Sequence, residues 1–200
     1  MASTEAPYGL RSVKRADVLP YSGATTEYLI DPAGEATNIF NGQVVIIGAD
    51  GYIALSVKSG ADLTTNALGG ATGVGAIGVF VGCEYENDQG QTVHSQYYPS
   101  GKLNAKAYVV DDPNVLFQAQ LDGAGAQTII GNNTFFAAVQ SGSTGSTDTG
   151  NSTSALDATV KTAAAAFRVV GHVSDAGDAY PDVLVKFNPG AHQMTNNVGL

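Results

Sequence analysis

GAIGVFVGCEYENDQGQTVHSQYYPSGKLNAKAYVVDDPNVLFQAQ, residues 75–120, is the stretch whose reading decides the fold class of this chain. Four segments in it alternate apolar and polar residues, and each is followed by Gly, Asn, Asp or Pro punctuation. Alternation with a period of two sends successive side chains to opposite faces of a strand, so each segment can bury one face. In the first segment Ile77, Val79, Val81 and Cys83 share one face, with Phe80 and Glu84 on the other. The other three run over residues 92–98, 106–110 and 115–121. Asn87-Asp88-Gln89-Gly90 stands between the first two as a hairpin loop should. Pro99-Ser100-Gly101 and Asp111-Asp112-Pro113 end the second and third, where a proline would cost a sheet its ladder bond. The stretch predicts an antiparallel meander.

The flanking sequence carries the same signature. Upstream, residues 26–30, 43–47 and 52–57 are short strand candidates separated by Asp31-Pro32-Ala33-Gly34, Asn41-Gly42 and Gly48-Ala49-Asp50-Gly51. Residues 59–75, rich in Gly, Thr, Ala and Asn, read as a long loop over the body. Downstream, residues 128–130 and 134–139 are expected as strands around Gly131-Asn132-Asn133, and 167–173 and 183–187 alternate again. The stretch 155–166 is either a helix turn or an edge strand: its alanines favour helix, but it has no apolar stripe. Residues 141–154, SGSTGSTDTGNSTS, contain no apolar side chain, and burial there cannot offset the entropy of ordering. This segment is expected to be a flexible, solvent-exposed loop.

Nine to eleven short strands with no clear helix predict an all-β fold, an antiparallel sandwich or barrel and not a parallel α/β sheet. The expected organisation is an extended N-terminal arm over 1–24, one β-rich domain over 25–192, and a polar tail over 193–200. A length of 200 residues suffices for such a core. Charged residues make up 14% of the chain and the formal net charge is −9, so no nucleic-acid partner is expected. No basic amphipathic helix and no long apolar run is present, and no membrane partner is expected. The opening residues have no apolar h-region, so the expectation is a soluble protein made in a cytoplasm.

Several motifs look chemical and are better read as structure. Gly73-Val74-Gly75-Ala76-Ile77-Gly78 fits G-x-G-x-x-G, but a loop precedes it and a strand follows, whereas a dinucleotide site needs a strand before and a helix after. No cofactor is expected. His94, His172 and His192 are far apart in sequence and do not form a metal-ligand pattern. Cys83, the single cysteine, is expected as a small buried residue, although a Cys83–His94 nucleophile–base pair across the first hairpin is an alternative. Asp111 and Asp112 are neighbours, so on a strand they face opposite ways and cannot act as paired carboxylates. No enzymatic constellation stands out, and no catalytic or metal-binding residue is expected.

Arg11, Lys14 and Arg15 cluster near the N-terminus, although Lys and Arg total only 9. They belong either to a frayed, solvated terminus or to an arm that orders against an acidic partner by adding a strand to its sheet edge, and Tyr8, Leu10, Val13, Val18 and Leu19 beside them favour the arm. The strings PYGLRSVKR (7–15), TNIFNGQVV (37–45), AIGVFVGCEYENDQGQTVHSQYYPSG (76–101) and AYVVDDPNVLFQAQLDG (107–123) go further. Together with FRVVGHVSD (167–175) and DVLVKFNPGAH (182–192), they make the chain resemble the capsid decoration, or cement, proteins of tailed phages. The resemblance covers residues 7–192 except the Ser/Gly/Thr segment. It implies an all-β body, jelly-roll-like or β-tulip-like, on the outer surface of the virion. The implied partners are the major capsid protein and other copies of the chain, with a homotrimer favoured. Tyr8, Leu10, Arg11, Val13, Lys14 and Arg15 would then be the capsid-binding residues. The alternative is a binding module on the virion exterior that stacks Tyr85, Tyr97 and Tyr98 on a host glycan.

Overall fold

The four alternating segments of residues 75–120 form strands, but these strands are divided between two sheets. The computed structural model describes residues 3–17, 19–63, 67–69 and 75–196. Its strands are β1 (Arg11–Arg15), β2 (Thr26–Leu29), β3 (Val44–Ile47), β4 (Ile53–Leu55), β5 (Gly78–Glu86), β6 (Thr92–Ser95), β7 (Leu103–Val110), β8 (Val115–Gln120), β9 (Asn133–Thr134), β10 (Phe167–His172) and β11 (Asp182–Phe187). Two antiparallel sheets result, a five-stranded one in the order β1-β8-β11-β10-β9 and a six-stranded one in the order β2-β7-β5-β3-β4, with β6 also paired to β5. They pack as a β-sandwich.

The long strand β5 explains why the expected meander does not form. Its first residues pair with β3 and its last with β6, along one edge, while β7 takes the other edge. At Asp111-Asp112-Pro113 the chain leaves this sheet and enters the other as β8. Tyr28 Oη donates to Asp111 Oδ2 at 2.9 Å, and the Asn114 amide donates to Asp112 Oδ1 at 2.8 Å, which fixes the crossing. The β5–β7 register also shifts between Phe80 and Gly82. A bulge there inverts the alternation downstream, so Cys83 shares a core with Phe80 and not, as the simple pattern implied, with Val79.

Both faces of the six-stranded sheet carry apolar cores. Between the sheets, Phe117, Val185, Phe187, Phe167 and Val169 meet Val44, Val79 and Val110. The rings of Phe117, Phe187, Phe167 and Phe136 run in sequence through this core, with centroid separations of 5.7, 5.0 and 5.3 Å. On the far face, Val45, Phe80, Cys83 and Val109 are covered by Ile30, Ile39 and Tyr98 from irregular segments. Full burial of each such large side chain is worth roughly 1.5–3 kcal/mol. The first six residues of β5, 78–83, therefore read as continuous apolar sequence because both faces of the strand are covered there.

The N-terminal segment does not stand apart from the body. β1 is the edge strand of the five-stranded sheet, with Arg11 opposite Gln118 and Arg15 opposite Val115. Leu10 is 1% exposed in the core between the sheets, and its amide donates to Gly42 O at 2.9 Å. Ala6 N donates to Gln120 Oε1, and Gln120 Nε2 to Thr4 O. Residues 3–15 are therefore integral to the domain expected to begin at 25. Their strand-forming pattern is satisfied by this chain's own sheet edge. Val18 lies outside the described residues.

Residues 141–154 also differ from expectation. Gln43 is fully buried, and its amide donates to Ser141 O, Thr144 O and Thr144 Oγ1. Gly145 bridges Ser152, which is itself buried. Polar pairing and close backbone approach hold this segment in place where apolar side chains do not. The expected strand at 128–130 is instead a 3-10 turn over Gln127–Ile129, and the one at 134–139 shrinks to β9. Residues 155–166 form neither a helix nor a regular strand; isolated bridges from Leu156 and Lys161 anchor them. In the loop of 59–75, Ala67 and Leu68 are buried, while 64–66 and 70–74 lie outside the described residues. His192 is buried ahead of a 3-10 turn over Gln193–Thr195, and residues 197–200 of the expected polar tail lie outside the described residues.

Candidate interaction surface

Charges are distributed unevenly over the sandwich. On the six-stranded sheet the cations are neutralised locally: Lys106 Nζ lies 2.9 Å from Glu84 Oε1, and Lys102 Nζ lies 2.7 Å from Asp88 Oδ1. The hydrogen bonds from Lys106 and Tyr108 hold the Glu84 carboxyl below its usual pKa. On the five-stranded sheet Arg15 is paired with Asp17 and Asp112. Arg11, Lys14, Arg168 and Lys186 have no carboxylate partner among the described residues.

Strand register places these four side chains on one face. In β8 the core takes Val115, Phe117 and Ala119, so Leu116 and Gln118 point outward. Lys14 is the register partner of Leu116, and Lys186 that of Arg168. The β8–β11 register pairs Phe117 with Val185, and one more step along it sets Leu116 beside Lys186. A row Lys14–Leu116–Lys186–Arg168 thus crosses four adjacent strands, about 4.8 Å apart. Leu116 is only 3% exposed on this outer face, and the methylene stems of its two lysine neighbours are placed to cover it. A second row, Arg11–Gln118–Leu184–Gly171, runs beside the first.

Like charges directly opposite each other destabilise a sheet, so Lys186 facing Arg168 costs stability rather than adding it. Each is held by an amide: Lys186 Nζ donates to Asn114 Oδ1 at 3.0 Å, and Arg168 Nε to Asn133 Oδ1 at 2.8 Å. Val13 and Val170, 43% and 44% exposed, add apolar area to the same face. The result is a mixed basic and apolar strip on an acidic protein.

The six residues expected to bind a partner are only partly together here. Arg11, Val13 and Lys14 lie on or beside this face. Leu10 is spent in the core, and Arg15 in its ion pairs. Tyr8 donates its hydroxyl to Asp182 Oδ1 at 3.0 Å, and Arg11 stacks over its ring at 4.8 Å. Sequence reasoning missed Arg168 and Lys186. Their positions alternate with core residues in β10 and β11, which marks them as outward-facing, but only strand order brings them beside Lys14.

The other candidates separate. Cys83 faces a core and donates to Tyr97 O at 3.3 Å, and burial pushes its thiol pKa up to about 12. His94 is paired in register with Glu84, one position along, and its side chain is exposed, so the two do not form a nucleophile–base pair. Of the G-x-G-x-x-G glycines, Gly73 lies outside the described residues, Gly75 packs against Ala191, and Gly78 opens β5. Among the tyrosines offered for sugar stacking, Tyr98 is fully buried and Tyr97 is stacked on Phe40 at 5.4 Å. No protein-family model, no curated protein and no solved structure matches this chain.

Proposed function

We propose that this chain is a structural virion protein, a capsid decoration or cement protein of a tailed phage. On this reading it attaches to the outside of the head through the outer face of its five-stranded sheet. The observation that supports it most is the row Lys14–Leu116–Lys186–Arg168, whose cations have no carboxylate partner among the described residues, in a chain of net charge −9. Cations left unneutralised within a fold are available to the carboxylates of a partner, here acidic patches of the major capsid protein. The string resemblance supplies the partner's identity and favours a homotrimer. Three such faces in one oligomer would multiply a modest single-face affinity and hold neighbouring capsid subunits together.

The test is cosedimentation of the purified chain with undecorated capsids built from its cognate major capsid protein. Saturable binding that weakens with rising salt is expected, together with its loss in the K14E/K186E double variant. A wild-type chain that stays in the supernatant at low salt, or a double variant that binds as well as wild type, would overturn the reading. Binding to a glycan array in place of capsids would support the alternative of a host-sugar binding module.

A further inference from the structure

Beside the Lys186–Arg168 pair lies a depression of about 430 Å³, bordered by Pro113 and Asn114 on one side and by Asn188 and Pro189 on the other. Arg168 and Asn188 of its polar lining are tied into one hydrogen-bond network. Arg168 Nε donates to Asn133 Oδ1 at 2.8 Å. The same oxygen accepts from Asn188 Nδ2 at 2.9 Å, and Asn188 Nδ2 also donates to Ala165 O at 2.8 Å. Asn133 Nδ2 is taken by Ala163 O at 2.9 Å. Both asparagines are nine-tenths or more buried. The guanidinium is thus fixed through Nε, and its two terminal nitrogens make no hydrogen bond or ion pair among the described residues. Lys186 reaches the same depression from the adjacent strand, braced by Asn114. The two carboxylates that precede Pro113 do not compete, since Asp111 is engaged by Tyr28 and Asp112 by Arg15.

We infer that this depression is a carboxylate-binding cleft that takes one Asp or Glu side chain of an acidic protein surface. Arg168 acts as a pre-aimed fork and Lys186 as a second point charge. An arginine fork matches the planar carboxylate in geometry, and prior anchoring of its Nε reduces the rotamer freedom lost on binding. An incoming carboxylate also relieves the repulsion between Arg168 and Lys186, so occupancy stabilises the β10–β11 pair that holds it. Asn133 and Asn188 are positioning residues. The inference rests on the proposed attachment face and names the group that face receives.

The test is NMR titration of the ¹⁵N-labelled full chain with an end-capped Glu-rich hexapeptide, its Gln-for-Glu counterpart, and inorganic phosphate. The Glu peptide is expected to shift the Arg168 side-chain Nε–H and the amides of Arg168, Val170, Lys186 and Asn114, saturably, with half-saturation on the order of 1 mM. R168Q and K186Q each remove one of two facing like charges, so they should melt no lower than wild type and each weaken binding about tenfold, and R168K should restore part of it. If R168Q fails to fold, K186Q alone decides the outcome. Shifts absent at the cleft, equal affinity for the Gln peptide or phosphate, or unchanged affinity in both variants would overturn the inference. A cleft that fails while wild-type chain still cosediments with capsids removes only this subsite. A cleft that binds Glu peptide while cosedimentation fails removes the capsid reading and leaves the cleft.

Discussion

Tyr8 and Asp182, 174 positions apart, are joined by a hydrogen bond of 3.0 Å from the phenolic hydroxyl to Oδ1. Asp182 Oδ2 accepts a second bond from Gln118 at 3.0 Å, so the one carboxylate links the N-terminal segment to two strands of the five-stranded sheet. Burial first, and then the neighbouring Asp182 charge, raise the Tyr8 pKa above its ordinary value, which keeps the donor proton in place at neutral pH.

Removal of this bond should be measurable. Tyr8→Phe leaves one of the acceptor's two partners missing and is expected to cost about 1–2 kcal/mol in urea denaturation. Deletion of residues 1–24 is expected to do far more, because it removes edge strand β1 and the buried Leu10, a side chain whose loss alone costs about 2–5 kcal/mol. A truncated chain with wild-type stability would show that the segment is a detachable arm and not part of the sandwich.

Gly145 tests the order of the Ser/Gly/Thr segment. A Cβ built there would sit 2.2 Å from two carbons of the Phe40 ring, which is fully buried and stacked on Tyr97. Gly145→Ala is therefore expected to destabilise by about 1–3 kcal/mol through overpacking. Gly171 is the internal control: a Cβ there meets nothing within 4 Å and its φ is not positive, so Gly171→Ala should be neutral or slightly stabilising. If both variants melt together with wild type, residues 141–154 do not pack on Phe40 in solution.

Cys83 should be chemically inert in the folded chain. Burial first, and then the adjacent Glu84 charge, push its thiol up to about 12, so almost no thiolate exists at pH 8. Reaction with Ellman's reagent is expected only at the rate of unfolding, and to become fast in denaturant. Cys83→Ala should cost roughly 1 kcal/mol and leave capsid binding unchanged. Rapid labelling of the native protein would place the sulfur at the surface.

The sequence carried the strands well because alternation is a local signal. Val79 and Phe117 were legible as buried from their spacing alone, whereas Phe80, which the alternation sets on the face of Glu84, is buried because a second core covers that face. What spacing could not carry was which strand lies beside which. The step from β7 to β8 reads as a third hairpin until Asp111 and Asp112 are seen bonded to Tyr28 and Arg15. The bulge between Phe80 and Gly82, which moves Cys83 to the other core, has no marker stronger than a glycine. The candidate face was half visible, since Arg11 and Lys14 stood out as a cluster. Arg168 and Lys186 join them only through the register of four strands. The segment 141–154 was misread because its order comes from the amide of Gln43, about a hundred residues earlier in the chain, and not from its own composition.

His192 gives the fold a pH dependence with a defined sign. Its Nδ1 accepts from the Met194 amide at 3.2 Å, which requires that nitrogen to be unprotonated. The ring is 1% exposed and meets the Phe187 ring edge-on at 5.2 Å. Burial lowers its pKa from 6.5 to about 4, against a weaker opposing pull from Asp111 and Asp112. The folded pKa lies below the unfolded one, so between these values the unfolded chain binds the proton and the folded chain does not. The stabilisation is complete above pH 6.5, falls as pH drops, and levels off near pH 4. The full gap is worth roughly 3 kcal/mol, of which roughly 2 kcal/mol should be lost between pH 8 and pH 5. His192→Gln keeps an acceptor for the Met194 amide but cannot take up a proton. Urea denaturation at pH 8, 6.5 and 5 should therefore show a shallower decline for the variant, by about that amount. Parallel curves for the two proteins would mean that the imidazole is not held neutral in a buried site.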